Sequence, residues 1–216
     1  MVASSLLLFG PVAPRLSQAY LSELRASIIS NSNLDFVRDA VEDLPSLWPA
    51  LQLACPQFSK IPGAEQLDQL SAFLKSGTFP NIKALNNLIL APLTVISQVV
   101  EFLRLGREAE NAAFQIPRNV EGFCIGLLTA AAVACSQGET GFRQFAAIAI
   151  RLAVCVGSIV DLGEELLQDP LDRSSSFAIR WTTESGQANL ENTLNDYSSV
   201  SRHDSFNIRY YICSSL

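Results

Sequence analysis

Val120-Glu121-Gly122-Phe123-Cys124-Ile125-Gly126-Leu127-Leu128, running on into Thr129-Ala130-Ala131-Ala132-Val133-Ala134-Cys135, decides how this chain reads. A short apolar stretch enters Gly-x-Cys-x-Gly, and a run of small residues with helical character leaves it. That is the form of a nucleophile elbow, where a strand turns sharply into a helix and lifts the central side chain clear of the sheet. The glycines have a steric reason. A Cβ on either side of Cys124 would clash with the neighbouring strand or helix. The helix that follows offers N–H groups with no partner inside it, and its positive end favours a thiolate or an oxyanion. Cys124 is therefore the expected nucleophile, Gly122 and Gly126 the elbow, and the Ile125 N–H an oxyanion donor. Ala130, Ala131, Ala132 and Ala134 would let the helix pack closely on the sheet. The pattern alone leaves a second reading open, that of a buried structural cysteine between two glycines.

Upstream, Leu6-Leu7-Leu8-Phe9 is a continuous apolar run closed by Gly10-Pro11, the mark of a buried parallel strand and its exit turn. Helical spacing follows over Leu16–Ser30 and Asn33–Leu44, with Pro45 expected to end the second helix. Gln66–Leu74 reads as helix. Across Pro80–Leu105 the spacing is helical, but Pro92 argues against a single unbroken element. Residues 106–119 read as an exposed loop. After the elbow, Phe142–Leu167 is a long helix, Phe177–Thr182 a strand, Ser185–Tyr197 an amphipathic helix and Phe206–Ile212 a second strand. The polar stretch 169–176 marks a boundary between an α/β core over 1–168 and a smaller unit over 177–216.

Composition narrows the classes. The 216 residues hold 15 Lys+Arg and 21 Asp+Glu, a net charge of −6, which does not suit a phosphate-backbone binder. Apolar residues reach 49% and mean hydropathy is +0.24, too hydrophobic for disorder. Five cysteines without C-x-x-C spacing suit a reducing, cytoplasmic setting, not a disulfide framework or a zinc site. The apolar stretches 123–135 and 145–160 fall short of the about 20 clean apolar residues that cross a bilayer, so no membrane is expected. The single histidine, His203, excludes a multi-histidine metal site and leaves few choices of general base.

Together, Leu6-Leu7-Leu8-Phe9-Gly10, the elbow Val120–Leu128 and Ile148-Ala149-Ile150-Arg151-Leu152 resemble the starter-unit acyl carrier protein transacylase (SAT) domain of fungal non-reducing polyketide synthases. Phe177-Ala178-Ile179-Arg180-Trp181-Thr182 is similar to the family's entry into its small subdomain. The resemblance runs from the first residues to about Asn207. It implies an α/β acyltransferase (hydrolase-like) core followed by the start of a ferredoxin-like subdomain. It also implies thioester exchange with no bound cofactor. The cysteine takes an acyl group from coenzyme A or from a fatty acid synthase and passes it to the phosphopantetheine thiol of an acyl carrier protein.

The resemblance has gaps. In the family a histidine downstream of the elbow acts as general base. His203, in Ser201-Arg202-His203-Asp204, precedes the second expected strand of the small subdomain, whereas the family's base follows it, and it reads as a solvated loop residue. Residues 209–216 do not continue the resemblance, and a truncated chain of impaired activity is the expectation. Related malonyl transferases place a glutamine after the first strand, where this chain has Gly10-Pro11-Val12-Ala13. Arg151 falls near the arginine with which those enzymes hold a substrate carboxylate, and equally suits a helix ion pair with Glu164 or Glu165. Two other functions remain: a non-catalytic or poorly folded product that binds a carrier protein, and an α/β hydrolase, for which no acid–histidine pair is at hand.

Overall fold

A computed structural model describes residues 6–10, 17–77, 85–108, 117 and 119–166, with five positions beyond them (185, 188, 189, 192 and 193). The chain divides into two compact units, Met1–Arg173 and Ser174–Leu216. The expected linker 169–176, both strands of the small subdomain and His203 lie outside the described residues. Ser185, Ala188, Asn189, Asn192 and Thr193, within the expected helix Ser185–Tyr197, are helical.

The first unit is a mostly helical α/β assembly around a small parallel sheet. Strand β1 (Leu6–Phe9) pairs with β2 (Asn119–Gly122), in the register Leu6↔Asn119 through Phe9↔Gly122. Leu7, Phe9 and Val120 pack on the core, and Leu6 and Leu8 face outward. Between the strands come α1 (Gln18–Ser30), α2 (Asp35–Ala54), α3 (Gly63–Ser76) and α4 (Asn87–Glu108). After β2 come α5 (Gly126–Ala134) and α6 (Glu139–Leu166).

Two prolines do not end their helices as expected. Helix α2 continues through Pro45 and Pro49 to Ala54. Pro49 is exposed and Pro45 half-buried, while Val37, Ala40, Val41, Leu44 and Trp48 on the opposite side are buried. Burying each large side chain gains about 1.5–3 kcal/mol, which outweighs the about 3 kcal/mol per interior proline. Trp48 anchors this helix, in tilted ring contact with Phe58 at 5.8 Å and pressed so close to Gly63 that a Cβ there would lie 2.1 Å from the indole. Helix α4 likewise runs through Pro92, in its second turn, and reaches Glu108, inside the stretch expected to be a loop.

Helix α4 is the core of the unit, with Leu93, Val95, Ile96 and Val99 all at most 2% exposed. Helix α6 packs against it, with Ala146, Ala149, Ala153 and Gly157 buried. At Gly157 the approach is closest, since a Cβ would fall 2.3 Å from the Asn87 carbonyl oxygen. One turn on, the buried Asp161 caps α4. Its Oδ1 accepts from the Asn87 backbone N–H (2.9 Å) and side-chain amide (3.0 Å), and its Oδ2 accepts from the Leu88 N–H (2.8 Å). A carboxylate here meets both the orphan donors and the positive end of the helix. Phe102 ties the layers together, with ring contacts to Phe9 at 6.3 Å and Phe142 at 4.8 Å.

Helices α4 (over Asn87–Gly106) and α6 are long and apolar enough to cross a membrane by length and composition. The expectation of no membrane span rests on 123–135 and on 145–160, the latter interrupted by Arg151; α4 lies outside both stretches, and α6, with 28 residues, extends beyond the second. The apolar windows of α4 and α6 are 72% and 50% buried within the protein, as core helices also are.

Candidate active site

The parallel register puts the carboxyl ends of β1 and β2 side by side, so the exit at Gly10 and the turn after Gly122 share one edge. Phe123 donates its N–H to the Phe9 carbonyl oxygen at 2.9 Å, one residue past the ladder. The chain then reverses into α5, with Gly126 N–H on Phe123 O and Leu127 N–H on Cys124 O, both 3.1 Å. Cys124 stands at the apex with φ +55°, the left-handed region, alone among the described non-glycine residues. That conformation costs an L-residue about 1–2 kcal/mol. Its thiol is free and exposed.

Both flanking glycines are required by space. A Cβ on Gly122 would lie 2.6 Å from the Gly126 carbonyl oxygen and 2.7 Å from the Leu127 nitrogen. One on Gly126 would lie 2.4 Å from the Phe9 carbonyl oxygen and 2.6 Å from that of Gly10. These contacts are with backbone, which cannot swing aside as a side chain can. Ile125 caps α5 in helical conformation, and among the described residues its N–H has no backbone acceptor. Of the four alanines, Ala130 and Ala132 face the core, while Ala131 and Ala134 are exposed. Phe123 and Leu127, 53% and 59% exposed, flank the thiol in sequence with apolar surface.

Arg151 lies on α6 with its Nη2 2.9 Å from Asp43 Oδ2 on α2, and it pairs with neither Glu164 nor Glu165. Both partners are substantially exposed, at 40% and 60%. A substrate carboxylate would have to compete with Asp43 for this guanidinium. Among the described residues no group of three or more His, Cys, Asp and Glu is placed to hold a metal. A cavity of about 320 Å³ opens between α1 and α4, beside Ser27, Ser30, Leu34, Val100 and Arg104, and none of the elbow residues lines it.

Gln98 escaped the sequence reading. It is 9% exposed on α4, donates from Nε2 to the Gly10 carbonyl oxygen at 2.7 Å, and accepts at Oε1 from Thr129 Oγ1 on α5 at 2.6 Å. The sequence signal is weak: Gln98 sits in Leu93-Thr94-Val95-Ile96-Ser97-Gln98-Val99-Val100, where Thr94 and Ser97 are polar as well.

The model of the family described as "Starter unit:ACP transacylase in aflatoxin biosynthesis" (SAT) matches residues 35–213. The chain belongs to the SAT family. It is 40% identical over 188 residues to the non-reducing polyketide synthase nvfA of Aspergillus novofumigatus, covering 87% of this chain and 8% of that protein. With mapC of Penicillium roqueforti it shares 36% over 199 residues (87% and 8%), and with epaA of Aspergillus niger 33% over 198 residues (91% and 8%). Both are also non-reducing polyketide synthases. The chain thus spans about 8% of the length of these relatives. The SAT match begins at Asp35, after β1, and extends beyond Asn207, where the resemblance had been read to stop.

Proposed function

We propose that this SAT domain loads a starter unit by acyl transfer through Cys124. The Cys124 thiolate attacks the carbonyl carbon of an acyl thioester, from acyl-coenzyme A or a fatty acid synthase. The carbon–sulfur bond to the donor breaks, and the donor leaves as its thiolate. The phosphopantetheine thiol of an acyl carrier protein then attacks the enzyme-bound thioester and releases Cys124. The Ile125 N–H serves as one donor to the tetrahedral oxyanion in each step. Nothing in this sequence of steps asks for a bound cofactor, and the setting is the cytoplasm. The acyltransferase core and the ferredoxin-like small subdomain are the architecture that goes with this reading.

One observation carries it: an exposed thiol held at φ +55° between two glycines whose Cβ atoms the backbone forbids. A buried structural cysteine needs neither the strain nor the exposure, and strained residues of this kind gather at functional sites.

A second reading, a SAT domain that binds a carrier protein without turnover, draws on two facts. His203 is the sole histidine of the chain, and Pro11, following the β1 exit, has no amide hydrogen to offer as a second oxyanion donor. The test mixes the 216-residue chain with hexanoyl-coenzyme A and a phosphopantetheinylated carrier protein, and follows the carrier's mass. Acyl-carrier formed by the wild type and lost in Cys124→Ala supports transfer. Binding without acylation of the carrier would favour the second reading.

A further inference from the structure

We propose that Gln98 and Thr129 form a positioning pair that holds the β1 exit as a fixed wall of the Cys124 site. This rests on the reading of Cys124 as an acyl-accepting nucleophile.

The Gly10 carbonyl oxygen is the point of contact. It lies 2.6 Å from where a Cβ on Gly126 would sit, at the first turn of α5, where a developing oxyanion must be received. A carbonyl oxygen there, free to turn, would present lone pairs to a growing negative charge. Gln98 Nε2 takes up that oxygen with a 2.7 Å hydrogen bond, as the Phe123 N–H takes up the preceding carbonyl of Phe9. An amide can face either way, and the Gly10 carbonyl, which can only accept, fixes the choice: the NH₂ group turns to Gly10 and leaves Oε1 to accept from the Thr129 hydroxyl at 2.6 Å. Thr129 is fully buried and Gln98 nearly so. Breaking one bond strands the other group without water to replace it. The pair therefore links three elements, α4, α5 and the end of β1, at the elbow. Neither side chain hydrogen-bonds to the thiol. Each acts through the backbone that borders it.

The test compares two reactions of Cys124 by peptide-resolved mass spectrometry in the 216-residue chain. p-Nitrophenyl acetate acylates the thiolate: the sulfur–carbon bond forms, the carbon–oxygen bond breaks, and p-nitrophenolate leaves with the electron pair while the thiol proton goes to buffer. This route passes through an oxyanion. Iodoacetamide alkylates the same sulfur by displacement of iodide at a saturated carbon, with no oxyanion. Thr129→Val and Gln98→Met keep the volume and remove the hydrogen bond, and Thr129→Ser keeps the hydroxyl. We expect the ratio of acylation to alkylation to fall about ten-fold in both of the first two variants, and to return with Thr129→Ser. Should Thr129→Val fail to fold, Gln98→Met carries the comparison, with circular dichroism reporting the folded state. An unchanged ratio in folded variants, or a fall in Thr129→Ser equal to that in Thr129→Val, would overturn the pairing. So would a wild type whose Cys124 alkylates but takes no acetyl group. If Cys124 is acetylated yet no acyl group reaches a carrier protein, the starter-loading function fails while the positioning pair stands.

Discussion

The backbone at Cys124 is held in a conformation that a cysteine does not choose, and this has a measurable consequence. Glycine meets φ +55° without the Cβ penalty of about 1–2 kcal/mol, whereas alanine keeps it. Elsewhere in a folded chain glycine is the less stable of the two by about 0.5–1 kcal/mol. Cys124→Gly is therefore expected to melt at or above the temperature of Cys124→Ala, reversing the usual order. A clearly lower melting temperature for the glycine variant would mean that the elbow is not strained. The Gly-x-Cys-x-Gly spacing marks this residue as an elbow candidate, because the sterics of the turn act over five consecutive positions, but leaves a buried structural cysteine open; the positive φ and the exposure are seen only in the structure. Arg151 was less legible. Its partner Asp43 is 108 positions away, and only the folded chain brings α2 beside α6.

At the scale of elements, α1, α3 and α5 follow their apolar spacing closely; β1, expected to be buried, leaves Leu6 and Leu8 exposed, and the helical departures lie where tertiary burial overrides a local signal. Pro45 and Pro92 are strong breakers in isolation. In α2 the buried face ending at Trp48 compensates, and in α4 the helix starts late enough for Pro92 to fall in its second turn. That start is set from outside, by Asp161 on α6. Nothing near Asn87 in sequence announces it. Replacing Asp161 by alanine leaves the Asn87 and Leu88 N–H groups without their acceptor at a buried helix end, a loss of about 1–3 kcal/mol. The expected readout is a lower urea midpoint at unchanged m-value. Asp161→Asn, which retains one acceptor, should lose less. Equal stability of Asp161→Ala and wild type would contradict the capping role.

For the molecule as a whole, α1 closes on α4 through a hydrogen bond between the Tyr20 and Ser97 hydroxyls. Burial pushes the Tyr20 phenol above its ordinary value of 10.0, an effect opposed by the Ser97 hydrogen bond and reinforced by the nearby Glu101 carboxylate. The folded state therefore holds this proton more tightly than the unfolded chain. Stability is full below pH 10 and falls as the pH rises from there through the folded pKa. Tyr20→Phe removes the titrating group, so its melting temperature should be lower at neutral pH, for want of the hydrogen bond, and should decline less steeply above pH 10. Parallel curves for the two proteins would show that Tyr20 does not couple folding to pH.

This same assembly supports the central claim. Helices α4 and α5 hold one edge, β1 and β2 end side by side at it, and the chain turns there with a thiol at the apex. Most of that was written in one short stretch of sequence. The support behind it was not, because Gln98 and Thr129 are polar residues in apolar helices whose purpose shows only when three elements meet. The most direct measurement is to incubate the protein with hexanoyl-coenzyme A, quench in acid and locate the acyl group by peptide mass. The account predicts a single thioester on Cys124, labile to hydroxylamine and missing from Cys124→Ala. An acyl adduct that survives Cys124→Ala, or that maps to Cys55, Cys135 or Cys155 instead, would contradict it.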